Sequence, residues 1–438
     1  MAAKLLILDA HSDAALACVQ SLGRAGEYEI HLGGSRRDCP AFASRYVAQP
    51  YFYPDPQRDC TAFENWLRAL DAVEHFDFIL PVTDATILPA NALREQLRGQ
   101  VILPPAEVLP WAFSKDRTVV LAKEVGVPVP VGRTVHRLKD AQPCRDFPLY
   151  LKPVASKVWL GEQGCSLNAC MVQSRKELEE ELERMLPYGP VLVQEYFAGY
   201  GVGIEVLCDQ GQIVMAFAHR REHEFPLTGG RSTYRVSIPM PEPLLEASRR
   251  LLKAAGWHGV AMVEFKQRGD EFRLMEINGR FWGSLPLAIA AGADFPRALL
   301  ELYRDGSRPV NTDYRSGLYA RNLMSDLSWL VHNQLAPRND PRLLTRPRLR
   351  SALEPLRVLV GREVWDHFAR HDPGPGRWQL KRIAIDAARA ILRRKSRPEK
   401  AVEPIRIEPP DENDAQAPQT PASPSATAAE RQYKRSVG

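Results

Sequence analysis

Across residues 1–110, short apolar runs alternate with stretches whose apolar residues recur at helical spacing. Lys4 to Leu8 reads as a buried strand that ends at Asp9, Ala14 to Leu22 as a helix stopped at Gly23, and Tyr28 to Leu32 as a second strand closed by Gly33-Gly34. A helix from Phe63 to Val73 and a third strand from Phe76 to Leu80 follow, with Pro81-Val-Thr-Asp84 at that strand's carboxyl end. Such alternation predicts a parallel sheet with helical crossovers. Ligands bind beyond the carboxyl ends of these strands, which makes Asp9, His11, Thr83 and Asp84 candidate substrate contacts. The first turn reads Asp9-Ala-His-Ser-Asp13 and lacks Gly-x-Gly-x-x-Gly. Without those glycines the backbone does not approach a pyrophosphate, which argues against a dinucleotide site there.

The 438 residues, 45% hydrophobic and 25% charged, have the composition of a folded chain and predict about three domains, or two and a tail. No run approaches the roughly 18 apolar residues of a membrane-spanning helix, and the amino-terminal apolar run is too short for a signal peptide. A cytoplasmic setting is expected. The seven cysteines are odd in number and include no Cys-x-x-Cys, so they read as reduced thiols with no zinc or redox role. Net charge is +5, yet Arg342 to Arg397 alone holds 15 Lys/Arg against 5 Asp/Glu. Basicity belongs to that late segment.

Four central segments carry polar residues in unusual places. Ser114 reads as a helix N-cap, which puts Lys115 in the first turn, where the helix dipole disfavours a cation unless an anion is held nearby. Lys152 interrupts the apolar run Phe147 to Val154 and needs an acidic partner; a loop with Ser156, Gly161 and Gly164 follows, and small residues let backbone N–H groups close over phosphates. Val191 to Glu195 is a buried strand ending in an acid, with a glycine-rich crossing leading to a second strand that carries Glu205. His219, Arg220, Arg221 and His223, followed by Thr228-Gly-Gly-Arg-Ser-Thr233, make a cationic stretch suited to a carboxylate or phosphate.

The most informative segment is Gly259 to Gly283. Two strands flank a Gln-Arg-Gly-Asp turn and form a hairpin. Alternation puts Glu276, Asn278 and Arg280 on one face, with Met275 and Ile277 on the other. A turn near Asp270 sets Glu264 opposite Glu276, about 5 Å apart at the β-carbons. Like charges in that position are destabilising. Two carboxylates and a carboxamide make sense together when a divalent cation lies between them, and hard oxygen ligands suit Mg²⁺ with substrate phosphates.

In this order, Ser114-Lys115-Asp116, Leu149-Tyr-Leu-Lys152-Pro, a glycine-containing loop, Gln194-Glu195-Tyr196-Phe197, Glu205, Glu264 and Glu276-Ile-Asn278-Gly-Arg280 resemble the ATP-grasp superfamily, over roughly Phe113 to Pro296. Its carboxylate–amine ligases and the synthetase halves of carbamoyl-phosphate synthase large chains look most similar. The resemblance implies an α/β and α+β chain. A Rossmann-like domain over 1–110 precedes a two-lobed ATP-grasp domain over 111–305. It further implies that Lys115, Lys152 and Ser156 contact ATP phosphates, and that Glu195, the backbone at Phe197, and Glu205 hold adenine and ribose. Glu264, Glu276 and Asn278 would carry Mg²⁺, with Mn²⁺ as a substitute, while Arg280, Arg220 and Arg221 would act on the transferring phosphoryl group and the substrate. The function it implies is an ADP-forming ligase that activates a small-molecule carboxylate as an acyl phosphate and joins it to an amine. The alternative is an ATP-binding regulatory or assembly protein without turnover.

Residues 306–395 read as a basic, mostly helical extension, and 396–438 as a disordered tail. From Gln379 to Lys395, Leu380, Ile383, Ala387, Ile391 and Leu392 share a helical face, with arginines largely away from it. Peripheral membrane contact through 379–395 is one expectation; docking on the protein's own body is the other. No nucleic-acid-binding module is recognisable. The sequence leaves the oligomeric state open.

Overall fold

The computed structural model describes residues 2–155, 157–160, 163–309, 313–340 and 342–395. Ser156, expected at the phosphates, and the 396–438 tail lie outside them. Residues 1–379 form one compact unit and 380–438 a second.

The amino-terminal alternation folds into β1 (Ala3–Ile7), α1 (Asp13–Ala25), β2 (Tyr28–Gly34), β3 (Val47–Phe52), α2 (Cys60–Glu74), β4 (Phe78–Leu80), α3 (Asp84–Ala92) and β5 (Gln100–Val101). The strands make a parallel sheet of order β3-β2-β1-β4-β5. Leu5, Leu6, Ile7 and Leu8 are completely buried, which accounts for the unbroken apolar run of a strand covered on both faces. Ser12 caps α1 by accepting from the Ala15 N–H at 3.0 Å, and Gly26 ends it in the left-handed conformation, φ 74°.

Two short helices, α4 (Pro110–Phe113) and α5 (Lys115–Glu124), lead to a four-stranded antiparallel sheet. It comprises β6 (Gly132–Val135), β7 (Leu149–Pro153), β10 (Cys170–Val172) and β11 (Val191–Glu195) in the order β10-β7-β11-β6, with β8 (Lys157–Leu160) and β9 (Gln163–Ser166) as a separate hairpin. The amphipathic helix α6 (Arg175–Met185) buries Leu178, Leu182 and Met185 against this sheet.

The largest sheet holds β12 (Tyr200–Asp209), β13 (Gln212–Phe225), β14 (Arg231–Ser237), β15 (Gly259–Arg268), β16 (Glu271–Asn278), β17 (Tyr319–Arg321) and β18 (Glu363–Trp365), in the order β16-β15-β12-β13-β14-β17-β18. Period-2 alternation sorts its residues. Val202, Ile204, Val206, Ala218, Ala261, Val263 and Ile277 pack with α5 and α7 (Glu242–Ala254) in one core. The opposite face is apolar at Leu207, Phe217 and Met262, which join α1, α8 (Leu285–Ala291) and α9 (Phe295–Asp305) in a second core. Beyond those residues the same face turns polar.

The extension adds two short strands that the sequence reading did not foresee. It contributes α10 (Leu323–Leu335), α11 (Arg348–Leu353) and α12 (Pro373–Lys395), but also β17 and β18, which continue the large sheet. Three-residue strands that contain Arg321 and Glu363 give no apolar pattern to read. Their charges are satisfied inside the fold instead, Arg321 Nε donating to Glu363 Oε1 at 2.7 Å. In the second unit Leu380 and Ile385 are exposed; the side chains of Ala387, Ile391 and Leu392 are outside the described set. Among the described residues no helix is long and apolar enough to cross a membrane.

Candidate active site

The hairpin β15–β16 pairs Glu264 with Glu276 and Met262 with Asn278, so these side chains share a face. A bulge beside Glu264 leaves Met275 as the extra residue, and the Met275 carbonyl accepts from Lys152 Nζ at 3.3 Å. The strand β7 thereby delivers a buried ammonium to the acids. Asn278 Nδ2 donates to Glu264 Oε1 at 3.0 Å and to Glu276 Oε1 at 3.3 Å. Lys115, first residue of α5, has its Nζ 4.0 Å from Glu276 Oε2, and its backbone N–H bonds the Val154 carbonyl at 3.1 Å. The cation disfavoured by the helix dipole faces an anion, as the sequence argument required.

Burial pushes the Lys152 ammonium down to about 8, partly offset by Glu276. Burial also raises Glu264, helped by the charges of Glu276 and Glu224 and opposed by Arg221. For Glu276, burial is outweighed by Lys115 and Lys152, which hold the carboxyl below its usual range. Neighbouring carboxylates pushed in opposite directions by their surroundings mark a site arranged around charge.

Arg221 on β13 reaches Glu264 on β15, its Nη2 2.6 Å from Oε1, although β12 lies between them. Glycines in β12 open the way. A Cβ at Gly201 would stand 2.8 Å from Arg221 Cδ, and one at Gly203 would stand 2.4 Å from His219 Cε1. The stretch expected to be a glycine-rich crossing is therefore the beginning of a strand, stripped of side chains so that its neighbour's can cross.

Arg280 donates to Asp84 Oδ1 at 2.5 Å through Nε and to Asn278 Oδ1 at 3.3 Å through Nη2. Asp84 opens α3, so a candidate from the first sheet meets one from the hairpin. Asp9 is otherwise engaged: in a left-handed backbone conformation, φ 67°, its Oδ2 accepts from Val82 N, Thr83 N and Thr86 Oγ1 at 3.1, 2.8 and 2.6 Å. It ties β1 to β4 and offers no contact to substrate.

Two expected residues stand elsewhere. Arg220 projects to the other side of β13 from Arg221, as adjacent strand residues must; it binds Glu222 Oε1 at 2.6 Å and lies over the Tyr200 ring. Glu205 is completely buried, with Oε1 accepting from Ser284 Oγ at 2.7 Å and 2.9 Å from His219 Nδ1. Its Oε1 is engaged inside the sheet, and its buried Oε2 has no hydrogen-bond partner. Glu195 and Phe197 sit at and just after the end of β11. Glu195 Oε1 accepts from the Val131 N–H at 3.1 Å, and the buried Phe197 ring is flanked by Arg268 and Arg273. A pocket of about 290 Å³ adjoins this strand end, lined by Phe147, Pro148, Met171, Gln173 and Tyr196.

Sequence reasoning passed over Lys266. It follows Glu264 by two residues on the same strand, so alternation placed it on the acidic face; its ammonium lies over the Tyr196 ring at 5.2 Å, and burial lowers it. Lys115 and Lys152 thus border the carboxylate pair, and Lys266 lies near Glu224 and Arg221 beside it. Among the described residues no three His, Cys, Asp or Glu side chains gather into a self-sufficient metal cage. Two carboxylates and an amide fit an ion such as Mg²⁺ that completes its shell with substrate oxygens and water.

A family model described as "ATP-grasp in the biosynthetic pathway with Ter operon" matches residues 188–325. A D-alanine–D-alanine ligase of Desulforudis audaxviator is 27% identical over 303 residues, 64% of this chain and 95% of that protein. A carbamoyl phosphate synthase large chain of Lachnoclostridium phytofermentans is 23% identical over 168 residues, 36% of this chain and 15% of that one. Among solved structures, the L-amino acid ligase from Bacillus licheniformis superposes with a TM-score of 0.56 at 18% identity, covering 72% of this chain and 78% of its own. The ADP complex of the N5-carboxyaminoimidazole ribonucleotide synthetase purK gives 0.59 at 12% identity, covering 82% and 98%. The family match spans the hairpin acids and β12–β14. On those grounds the chain resembles the ATP-grasp superfamily.

Proposed function

We propose that this protein is an ATP- and Mg²⁺-dependent ligase that joins a small-molecule carboxylate to an amine. The observation that carries the reading is the facing pair Glu264 and Glu276, bridged by Asn278 and bordered by Lys115 and Lys152. ATP-grasp relatives named as ligases support it.

In this reading Glu264, Glu276 and Asn278 would hold the metal, which would supply positive charge to neutralise the triphosphate. Lys115 and Lys152 hold phosphate oxygens, and Lys266 adds a third cation. Adenine stacks near the end of β11, with Phe197 offering backbone groups and Glu195 fixing the strand's end through Val131. A carboxylate oxygen of the substrate bonds to the γ-phosphorus and ADP leaves. The amine nitrogen then attacks the acyl carbon, the carbon–oxygen bond to phosphate breaks, and the nitrogen gives up a proton. Phosphoryl transfer is dominated by positioning and charge neutralisation. Arg280, held by Asp84 and Asn278, and Arg221, held by Glu264, supply that charge. A cytoplasmic setting, where ATP is plentiful, belongs to the same proposal.

The test is ADP release by the purified full chain with Mg²⁺, ATP and a panel of carboxylates and amines, analysed by mass spectrometry. A condensed product with stoichiometric ADP is expected. ATP binding without ADP release across the panel would instead favour an assembly or regulatory protein that retains the nucleotide site.

A further inference from the structure

Exposed apolar side chains are unevenly spread over this molecule. Of the fifteen large ones among the described residues, seven fall between residues 327 and 359. Single exposed leucines are ordinary on a protein surface, whereas a concentration of them marks a contact face. The helical run that starts with α11 and tightens into a 3₁₀ segment, Glu354–Val360, is inside out. Leu349 and Leu353 are four apart in its α-helical part. Leu353, Leu356 and Leu359 are three apart where the helix tightens, and 3₁₀ geometry eclipses residues at that spacing. The four leucines therefore form one line, and 53–78% of each is exposed.

The opposite side of the run faces the body and is polar. Ser351, two residues from both Leu349 and Leu353, is completely buried and accepts from Asn333 Nδ2 at 3.3 Å. Glu354 Oε2 lies 2.9 Å from Nε2 of the buried His223, and Arg357 Nη1 donates to the Tyr234 hydroxyl at 2.8 Å. A helix on the surface of a globular protein ordinarily does the reverse, apolar side in and polar side out. The helix α10 is turned the same way: Asp326 and Asn333 are completely buried, while Leu327, Val331 and Leu335 are exposed. Charge around the leucine line selects what can cover it. Ala336 to Arg362 holds seven arginines and no lysine, against Asp340 and Glu354 alone. Arg348, Arg350 and Arg362 are exposed beside the line. A second copy docking by the same face would set arginines against arginines.

We propose that this leucine line inserts into the surface of an anionic membrane, with Arg348, Arg350 and Arg362 on lipid phosphates. A bilayer surface offers apolar depth below a plane of negative charge, which matches leucines that stand out between arginines. The chain then lies on the bilayer; among the described residues no helix is long and apolar enough to cross it. Its inverted polarity also anchors the run from within, since Ser351, Glu354 and Arg357 tie it to α10, β13 and β14 while the leucines face outward. The membrane face stands apart from the carboxylate pair and does not depend on the reaction assigned there.

The experiment is co-sedimentation of the full chain with phosphatidylcholine vesicles, plain or containing about 30 mol% phosphatidylglycerol. Binding is expected to the anionic vesicles only, and to weaken at high salt as surface charges are screened. Leu349→Gln with Leu359→Gln changes the two most exposed leucines of the line and should weaken binding about 100-fold, the loss of two inserted side chains. Arg348→Gln with Arg362→Gln should weaken it about tenfold, and serves as the readout if the leucine variant does not fold. Both variants should keep the circular dichroism spectrum and melting temperature of the unaltered chain. Leu380→Gln with Ile385→Gln, exposed positions on α12, should leave vesicle binding unchanged. No binding to anionic vesicles, equal binding to neutral ones, or undiminished binding by the leucine and arginine variants would overturn the proposal. So would loss of binding in the α12 variant alone, or a dimer in sedimentation velocity that the leucine variant abolishes, which would give the line to a second copy.

Discussion

At the scale of single residues, the account turns on groups whose charge is set by burial and neighbours. Lys152 is the clearest. Its ammonium is pushed down to about 8 because it is buried, and a triphosphate beside it would favour the protonated form. ATP affinity is therefore expected to be flat below pH 8 and to fall by up to about tenfold per pH unit above it, with proton uptake on binding near that pH. Calorimetry in two buffers of different ionisation enthalpy measures the uptake directly. Lys152→Ala should remove the pH dependence and weaken ATP by roughly 10- to 100-fold, the worth of a hydrogen bond to a charged group. Unaltered affinity in that variant would count against a phosphate role. Lys152 was legible in the sequence because a lysine inside an apolar run must have a partner. Its actual bond, to the Met275 carbonyl, was not, because it depends on a bulge. Arg220 and Arg221 show the complementary limit. Both are charged and adjacent, and only strand register decides which one faces the acids.

At the scale of elements, the hairpin was readable and β12 was misread. Alternation and a Gly-Asp turn suffice to pair Glu264 with Glu276, since a hairpin is a local structure. The glycines of β12 looked like a loop because strands rarely include them. Their reason is non-local: Arg221 must cross that strand. Gly203→Ala is expected to displace His219, whose Cε1 would otherwise stand 2.4 Å from the new methyl group, well inside van der Waals contact. That releases Glu205 and shifts the face on which Glu264 sits. Turnover should fall by at least about tenfold while the melting temperature drops only a few degrees, as expected for a loss near 1 kcal/mol. Unchanged turnover would mean that the crossing side chains have no bearing on the chemistry. The same logic explains Glu205, which the sequence offered as a ribose ligand. It lies on the polar face, but behind His219 and Ser284.

At the scale of the whole molecule, a parallel sheet with helical crossovers followed from periodicity, whereas its strand order, its short strands β3 and β5, and the strands of the extension did not. Sequence alone gave residues 306–395 a basic, peripheral character. In the fold, β17 and β18 cover the edge of β14, and Leu318 and Ala320 enter the core shared with α1 and α8. Truncation after residue 305 should therefore yield aggregated or unfolded protein, because it bares a sheet edge and part of a core. Truncation after residue 379 should preserve the circular dichroism spectrum and the affinity for ATP. A well-folded, ATP-binding 1–305 fragment would refute the structural role given to the extension. Three-residue strands containing Arg321 and Glu363 defeat a pattern-based reading, since their burial is repaid by ion pairs, not by apolar surface.

The central claim is that a divalent ion couples Glu264, Glu276 and Asn278 to the phosphates of ATP. Calorimetric titration of ATP, with Mg²⁺ and with the metal chelated, into the unaltered chain and into Glu276→Gln measures that coupling most directly. The account predicts that Mg²⁺ strengthens binding by roughly 10- to 100-fold in the unaltered chain and has little effect in the variant, which should remain folded. Equal strengthening by Mg²⁺ in both proteins would contradict it.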